Sequence, residues 1–278
     1  MKSIFDKISQ NCSKNITRTY STSFSLGILS LNKELHHPIY NIYGFVRLAD
    51  EIVDSFHNHD KEFLLNQMKL ETRKSIKEKI SLNPIIHSFQ KTVNKYKISW
   101  DLIDPFFESM EMDLMNKSYT FQKYDKYILG SAEVVGLMCL KVFVSGDEQK
   151  YNIMKPYAMK LGSAFQKVNF LRDMNNDYNE LGRVYFPEID INSFSRDHKL
   201  EIEKDIEEDF LVALDGIKML PKSSKGGVYL AYIYYYNLFK KIKLLEPSYI
   251  LDNRVRISNF YKFYLMIISK IKYNLNMI

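Results

Sequence analysis

The chain contains Tyr43-Gly44-Phe45-Val46-Arg47-Leu48-Ala49-Asp50-Glu51-Ile52-Val53-Asp54 and, further on, Gln166-Lys167-Val168-Asn169-Phe170-Leu171-Arg172-Asp173-Met174-Asn175-Asn176-Asp177. These two stretches decide the fold, because each places two aspartates four residues apart in a strongly helical context. At 3.6 residues per turn, positions i and i+4 share one face of a helix. Each stretch therefore predicts a helix that presents two carboxylates side by side.

Further polar residues extend both pairs into stripes. The first stripe has i, i+4, i+7, i+11 spacing and the second i, i+3, i+7, i+11; they consist of Tyr43, Arg47, Asp50 and Asp54, and of Gln166, Asn169, Asp173 and Asp177. A surface helix normally carries an apolar stripe on a polar background. Here the background is apolar, so the pattern predicts a polar cavity inside a helical bundle.

Carboxylate oxygens are hard ligands, and Mg²⁺ bound by them usually completes its shell with water and substrate phosphates. Arg47 shares the stripe of Asp50, and its planar fork suits phosphate. The sequence therefore indicates an enzyme that handles a diphosphate. The alternatives are solvated helix charges and, for Arg47, a purely structural ion pair with Asp50.

Composition agrees with one large domain. The chain has 278 residues, 46% of them hydrophobic, and 39 Lys+Arg against 33 Asp+Glu give a net charge of +6. There is no long basic block, so nucleic acid is not the expected partner, whereas diphosphates or an anionic membrane surface fit the mild positive charge. Cys12 and Cys139 lack CxxC spacing and are expected to be free thiols in a reducing compartment.

Neither end of the sequence predicts a membrane span. The first ten residues mix Lys and Asp, which does not resemble a secretory signal. Lysines at positions 262, 270 and 272 interrupt the apolar region from Phe260 to Ile278, which falls short of the ~20 apolar residues that a span requires. We expect a cytoplasmic protein, or one held peripherally at the inner face of the membrane.

Periodicity and helix breakers predict one all-α domain over residues 1–278. The expected helices are 4–18, 22–30, 34–57, 60–80, 84–97, 100–117, 123–145, 148–178, 198–219, 222–245 and 255–275, with prolines mostly near their edges. Pro38 is interpreted as the start of the long helix that carries Asp50. The preceding Glu34-Leu35-His36-His37 has the Glu-x-x-His spacing of di-iron bundles, but without a second copy we interpret it as a turn.

The motifs together resemble the squalene/phytoene synthase family. Besides the two acidic stretches, the resemblance rests on Tyr20-Ser21-Thr22-Ser23-Phe24, Leu181-Gly182-Arg183-Val184-Tyr185-Phe186-Pro187 and Arg254-Val255-Arg256-Ile257-Ser258, in this order along the chain. It implies a helical bundle of the class I isoprenoid synthase type with a central cavity. It also implies Mg²⁺ as cofactor, with Mn²⁺ as a substitute.

The resemblance assigns roles to individual residues. It implies catalytic roles for Asp50, Asp54, Asp173, Asp177, Tyr43 and Arg47, substrate binding by Ser21, Ser23, Arg47, Gln166, Asn169, Arg172 and Tyr235, and metal binding by Asp50, Asp54, Asn169, Asp173 and Asp177. The bland alternatives are helix N-capping for the two serines and core packing for Tyr235. The other tyrosines between positions 229 and 236 are expected to pack in the core.

The family further implies head-to-head condensation of two prenyl diphosphates through a cyclopropylcarbinyl diphosphate. We expect two geranylgeranyl diphosphates to be joined to phytoene without NADPH, because the 181–187 run and the lack of a C-terminal anchor look more like the phytoene branch. The alternatives are a dehydrosqualene or squalene synthase acting on farnesyl diphosphate, and a non-catalytic, membrane-associated assembly factor of the same fold. A single-substrate terpene cyclase fits the 169–187 motifs less well.

Overall fold

A computed structural model describes residues 2–115 and 118–275 of the chain. Over this part, it contains thirteen α-helices: α1 (Lys2–Tyr20), α2 (Thr22–Leu29), α3 (Lys33–Ser55), α4 (Lys61–Glu78), α5 (Pro84–Tyr96), α6 (Trp100–Met115), α7 (Phe121–Ile128), α8 (Val134–Phe143), α9 (Glu148–Asn179), α10 (Arg196–Met219), α11 (Lys222–Lys243), α12 (Pro247–Asp252) and α13 (Asn259–Asn274). Only an isolated bridge between Ser118 and Val184 has strand character within these ranges. The predicted all-α bundle is confirmed.

Side chains fix many of the helix starts. Asp60, Asn83 and Asp147 each accept a hydrogen bond from a backbone N–H in the first turn of the helix that follows. Such caps satisfy amides that have no partner within the helix, and each contributes about 1 kcal/mol. The prolines that open α5 and α12 occupy positions where a missing N–H costs nothing.

The predicted helix 123–145 is not continuous. It is divided into α7, a π-helical turn (Leu129–Glu133) and α8. A Cβ at Gly130 would lie 2.2 Å from the Pro105 carbonyl oxygen, so only glycine permits this approach of the turn to α6. Periodicity does not report such a bulge, because the residues on either side remain helical.

One further predicted helix begins at a different residue, and two predicted ranges extend beyond the described residues. The predicted helix 255–275 begins only at Asn259, after a separate short helix, α12. Residues 116 and 117 of the predicted helix 100–117 lie outside the described residues, as do the extreme ends of the predicted 1–278 domain.

The interpretation of Pro38 as a helix start was wrong. α3 begins at Lys33, so Glu34–His37 form its first turn rather than a loop, and Pro38 is buried within the helix. The site tolerates proline because it removes only one early hydrogen bond of the helix. Pro105 and Pro156 likewise lie inside helices.

The core is a single cluster that joins the helices around α3. Phe45 is fully buried and stacks on Phe89, with ring centroids 3.7 Å apart, while Phe106 and Phe107 contact its other sides. α1 and α5 pack against the outside of α3, and α9 packs along α10. The opposite side of α3 is left to face a cavity, which α2, α8, α9, α10 and α11 complete.

Two further properties can be read from the described residues. Both cysteines are free thiols, and burial raises the pKa of Cys139 to about 12, so it stays neutral. None of the described helices is long and apolar enough to cross a membrane.

Candidate active site

A cavity of about 610 Å³ runs through the bundle, with one polar end and a long apolar body. The polar end, here called the mouth, is formed by Tyr20, Ser21, Tyr43, Arg47, Asp50, Gln166, Asn169, Arg172, Tyr235 and Arg254. Most of the remaining lining consists of aliphatic side chains, glycine and alanine. The predicted polar cavity within an apolar bundle is therefore present, and both acidic helices border it.

The stripe on α3 enters the mouth at three of its four positions. Tyr43, Arg47 and Asp50 line the cavity, and Arg47 pairs with Glu51 and lies 3.9 Å from Asp50. Burial raises the pKa of the Asp50 carboxyl to about 7, and repulsion from Asp54 adds to the rise. Asp50 is thus a carboxylate whose negative charge is incompletely compensated.

Asp54 is not among the residues that line the cavity, and it is held by a buried arginine. Arg183 donates to an Asp54 carboxylate oxygen at 2.8 Å and lies 3.6 Å from Asp113 on α6. Asp113 in turn accepts hydrogen bonds from Tyr127 at 2.8 Å and from Tyr185 at 3.0 Å. Asp54 is therefore the outermost member of a buried network that fixes its position.

The stripe on α9 faces α3 across the mouth. Gln166 and Asn169 line the cavity and are joined by an amide hydrogen bond of 3.3 Å. Asp173 pairs with its neighbour Arg172 and accepts from the Arg254 Nε at 2.6 Å. Asp173, which follows the lining residue Arg172 in the sequence, is thus paired with two arginines.

Asp177 is the last member of this stripe. Within the described ranges, no side chain hydrogen-bonds or ion-pairs with its carboxyl group, and its charge is only partly offset, by Arg183. Burial raises its pKa to about 8, and repulsion from Asp173 and Asp54 contributes to the rise. Asp54 belongs to α3 and Asp173 to α9, so carboxylates of both helices act on the same space.

This electrostatic arrangement fits a divalent cation. In the described part of the chain, no three His, Cys, Asp or Glu side chains are gathered closely enough to form a metal site by themselves. Mg²⁺, however, is commonly held by one or two carboxylates together with water and substrate phosphates. Asp50 and Asp177, whose charges are poorly compensated, are suited to be such ligands, because a bound cation would offset the repulsion that each carboxylate experiences from its acidic neighbours.

The hydroxyl and aromatic candidates separate into lining and non-lining residues. Ser21 caps α2, accepting from the Phe24 amide at 3.2 Å, and lines the cavity, whereas the half-buried Ser23 does not. Ser21 therefore both caps α2 and lines the mouth. Tyr235 also lines the cavity, where its hydroxyl donates to Asn169 at 3.3 Å and its ring stacks on Phe165.

The remaining tyrosines of α11 lie away from this cavity, as expected. Tyr229, Tyr232 and Tyr234 are buried, and Tyr236 donates to Glu207 at 2.6 Å. None of the four is among the residues lining the cavity.

Sequence reasoning missed three residues that the site depends on. Arg183 and Arg254 lie in motifs that were recognised without a role, and both pair with the predicted ligands. Asp113 gave no signal, because it is one of five acidic residues on α6 and meets Arg183 only through the tertiary fold. The signal in the sequence was an arginine without an assigned partner in a motif that follows an acidic stripe.

A profile of the family described as squalene/phytoene synthase matches residues 17–261, which include every motif considered above. The chain belongs to the squalene/phytoene synthase family. Family members include a 4,4'-diapophytoene synthase of Staphylococcus haemolyticus, 26% identical over 68% of this chain and 66% of the relative. A phytoene synthase of Arthrospira platensis is 26% identical over 66% and 62% of the two chains. The match thus spans just under two thirds of these relatives, and 45% of chloroplastic phytoene synthase 1 of Zea mays.

Solved structures of the family share the fold. A dehydrosqualene synthase in complex with ligand superposes with a TM-score of 0.79, at 20% identity, over 95% of this chain and 96% of the other. A squalene synthase from Alicyclobacillus acidocaldarius gives a TM-score of 0.75, at 19% identity, over 87% and 95%. The bundle described above is therefore the fold of this family.

Raising the pH from about 6 to about 8.5 should lower the melting temperature of the protein in EDTA. The folded-state pKa values of Asp50 and Asp177 are about 7 and about 8, against an ordinary 3.8. The stability that their neutral forms contribute is present at low pH and is lost as pH rises through these values. Because Mg²⁺ binds the charged form, it should raise the melting temperature more at about pH 8.5 than at about pH 6. Differential scanning calorimetry measures both effects.

Two variants serve as test and control for this behaviour. Asp177→Asn should reduce the pH dependence and the effect of Mg²⁺, whereas Asp215→Asn, which changes an exposed carboxylate on α10, should leave both as in the unmodified chain. Equal Mg²⁺ effects at both pH values, unchanged by Asp177→Asn, would contradict a cation site at the mouth.

Proposed function

We propose that this chain condenses two molecules of geranylgeranyl diphosphate head to head, through a cyclopropylcarbinyl diphosphate, to phytoene. The observation that carries the proposal is one cavity in which a mouth bearing Asp50 and three arginines opens onto a long apolar body. Such a cavity suits a ligand with an anionic diphosphate at one end and a hydrocarbon chain at the other. Membership of the squalene/phytoene synthase family supports the same reaction class.

The mouth supplies cationic groups for the diphosphate. Arg47, Arg172 and Arg254 all line it, and their guanidinium groups can leave carboxylates to bind phosphate oxygens in the same fork geometry. A divalent cation held by the predicted ligands Asp50, Asp54, Asn169, Asp173 and Asp177 would neutralise the departing diphosphate as a Lewis acid. Arg183 keeps the Asp54 carboxylate in place for this role.

The aromatic residues next to the mouth suit the cationic part of the reaction. Phe24 contacts the rings of Tyr43 and Tyr235, with centroids 5.3 and 6.2 Å apart. Aromatic faces stabilise nearby positive charge, and a cavity without water prevents capture of a carbocation. Burial raises the pKa of Tyr43 to about 12, so its hydroxyl stays protonated at neutral pH and cannot quench the cation as a phenolate.

The length and the lining of the body support a C20 chain. Five of the ten glycines in the chain line the cavity (Gly27, Gly136, Gly162, Gly216 and Gly227), together with four alanines. Along α9, the lining extends from Asn169 back to Met154, a distance of about 22 Å at 1.5 Å per residue. The glycines and alanines, most of which lie on the elements around α9, leave room for an extended hydrocarbon chain along this distance.

The second candidate is the C15 reaction, in which farnesyl diphosphate gives dehydrosqualene or squalene. It is favoured by the similarity to a 4,4'-diapophytoene synthase, which matches over about as much of this chain as the phytoene synthases do. Both candidates use the same mouth. They differ only in how much of the apolar body the substrate fills.

Incubation with geranylgeranyl diphosphate and Mg²⁺ should yield phytoene, and farnesyl diphosphate at equal concentration should give less C30 product. Omitting NADPH should not change the yield, since the proposed reaction ends in proton loss. Excess EDTA should abolish product, and Mn²⁺ should restore it. Chromatography of the organic extract measures every arm. A dominant C30 product would overturn the C20 assignment, and no product from either substrate would favour the non-catalytic alternative.

Filling the far end of the cavity should shift the preference toward the shorter substrate. Ala158 lines the cavity close to Met154, and Ala158→Leu adds three carbons there. Turnover of geranylgeranyl diphosphate should fall at least about tenfold relative to farnesyl diphosphate, the scale of one or two misplaced methylene groups. Asn152→Leu, at an exposed position of the same helix, should leave the ratio unchanged. An unchanged ratio in Ala158→Leu would place the chain-length limit elsewhere.

A further inference from the structure

The last helix, α13, turns an apolar face toward solvent. Phe260, Phe263, Tyr264, Ile267 and Ile271 are 84%, 53%, 51%, 43% and 49% exposed, and their i, i+3, i+4, i+7, i+11 spacing places them on one side of the helix. We call these five residues the docking face. An ordinary surface helix buries such residues and exposes its polar ones, so this face is available to an apolar surface outside the bundle.

α13 is held so that the docking face remains free. On its inner side, Leu265 is buried against Leu230 and Tyr234 of α11. Tyr234 donates to the carbonyl oxygen of Lys262 at 2.8 Å, and Tyr273 donates to that of Lys222 at 2.9 Å. The helix is thus fixed to the bundle at both ends, and the outward direction of its aromatic residues does not depend on a loose terminus.

The helix that bears this face is itself positively charged. α13 contains three lysines, at positions 262, 270 and 272, and no Asp or Glu. Lys270 lies on α13 at the border of the docking face and is exposed. An apolar face bordered by lysines is the pattern of helices that lie in the interface of an anionic membrane.

The first turn of α13 also lies beside the mouth of the cavity. Lys262 donates to the Thr22 hydroxyl, at the start of α2, over 2.9 Å, and Thr22 follows the mouth residue Ser21. Arg254, shortly before α13, lines the mouth itself. A surface that contacts the docking face therefore lies next to the entrance for amphiphilic ligands.

We propose that the docking face of α13 binds the surface of an anionic lipid bilayer. The helix lies along the membrane plane, its aromatic and aliphatic side chains enter the headgroup and acyl boundary, and the surrounding lysines contact anionic headgroups. A second copy of the chain is a poorer partner, because pairing two such faces would bring their lysines together. Binding requires no substrate and is independent of the proposed reaction.

Vesicle co-sedimentation tests this assignment on the full chain. The unmodified protein should bind vesicles of phosphatidylcholine containing about a third phosphatidylserine, and should bind pure phosphatidylcholine at least about tenfold less tightly. The triple variant Phe260→Ser, Phe263→Ser, Ile267→Ser should lose at least about tenfold in binding to the anionic vesicles. The control Phe63→Ser, Leu70→Ser changes equally exposed apolar residues of α4 and should bind as the unmodified protein does.

Other outcomes would overturn the proposal. The triple variant should remain folded, because its three positions are exposed. Circular dichroism melting verifies this. No binding to anionic vesicles, or equal binding by the triple variant, would remove the membrane from consideration. If analytical ultracentrifugation found a dimer that the triple variant converts to a monomer, the face would belong to a contact between two copies.

A charge-only variant, Lys270→Gln, should weaken binding at low salt, and an unaltered affinity would contradict the role of the lysines.

Discussion

The burial of mutually repelling carboxylates on α3 and α9 is the constraint on which the site depends. Burial, and then repulsion from Asp54, raises the pKa of Asp50 on α3, whereas burial, and then repulsion from Asp173 and from Asp54 of α3, raises the pKa of Asp177 on α9. Arg183, Arg172 and Arg254 offset part of this charge by pairing with Asp54 and Asp173. Without a cation, this arrangement of carboxylates costs folding free energy. The apolar core around Phe45 provides the rigidity that maintains it.

The same helices that hold the charges also shape the apolar body. On α3, the face opposite the cavity is anchored by Phe45 against Phe89, while Tyr43, Arg47 and Asp50 turn to the mouth. On α9, the network of Lys160, Ser163 and Lys167 around the buried Asp209 joins the helix to α10. Because these contacts fix both helices along their length, the distance between the mouth and the far end of the cavity is fixed too.

The sequence revealed the parts of this architecture that have a helical period. Periodicity and helix breakers predict most of the helices, and the spacing of the two polar stripes predicts the cavity that they border, because a polar stripe on an otherwise apolar helix needs a polar environment inside the bundle. Contacts between distant segments could not be found in this way. Asp113 joins the site through Arg183, and the π-helical turn at Leu129–Glu133 exists because Gly130 meets the backbone of α6. Pro38 was misplaced because its position in the helix depends on where α3 begins, which local signals left open.

The central claim is that α3 and α9 act on one cation together with the diphosphate, and a double-mutant cycle tests it most directly. Isothermal titration calorimetry with inorganic diphosphate and Mg²⁺ would be applied to the unmodified chain, to Asp50→Asn, to Asp177→Asn and to the double variant. A shared cation predicts that each single change weakens binding strongly and that the double variant loses much less than the sum of the two. Losses in binding free energy that add to within about 0.5 kcal/mol would show that the two carboxylates act independently and would contradict the claim.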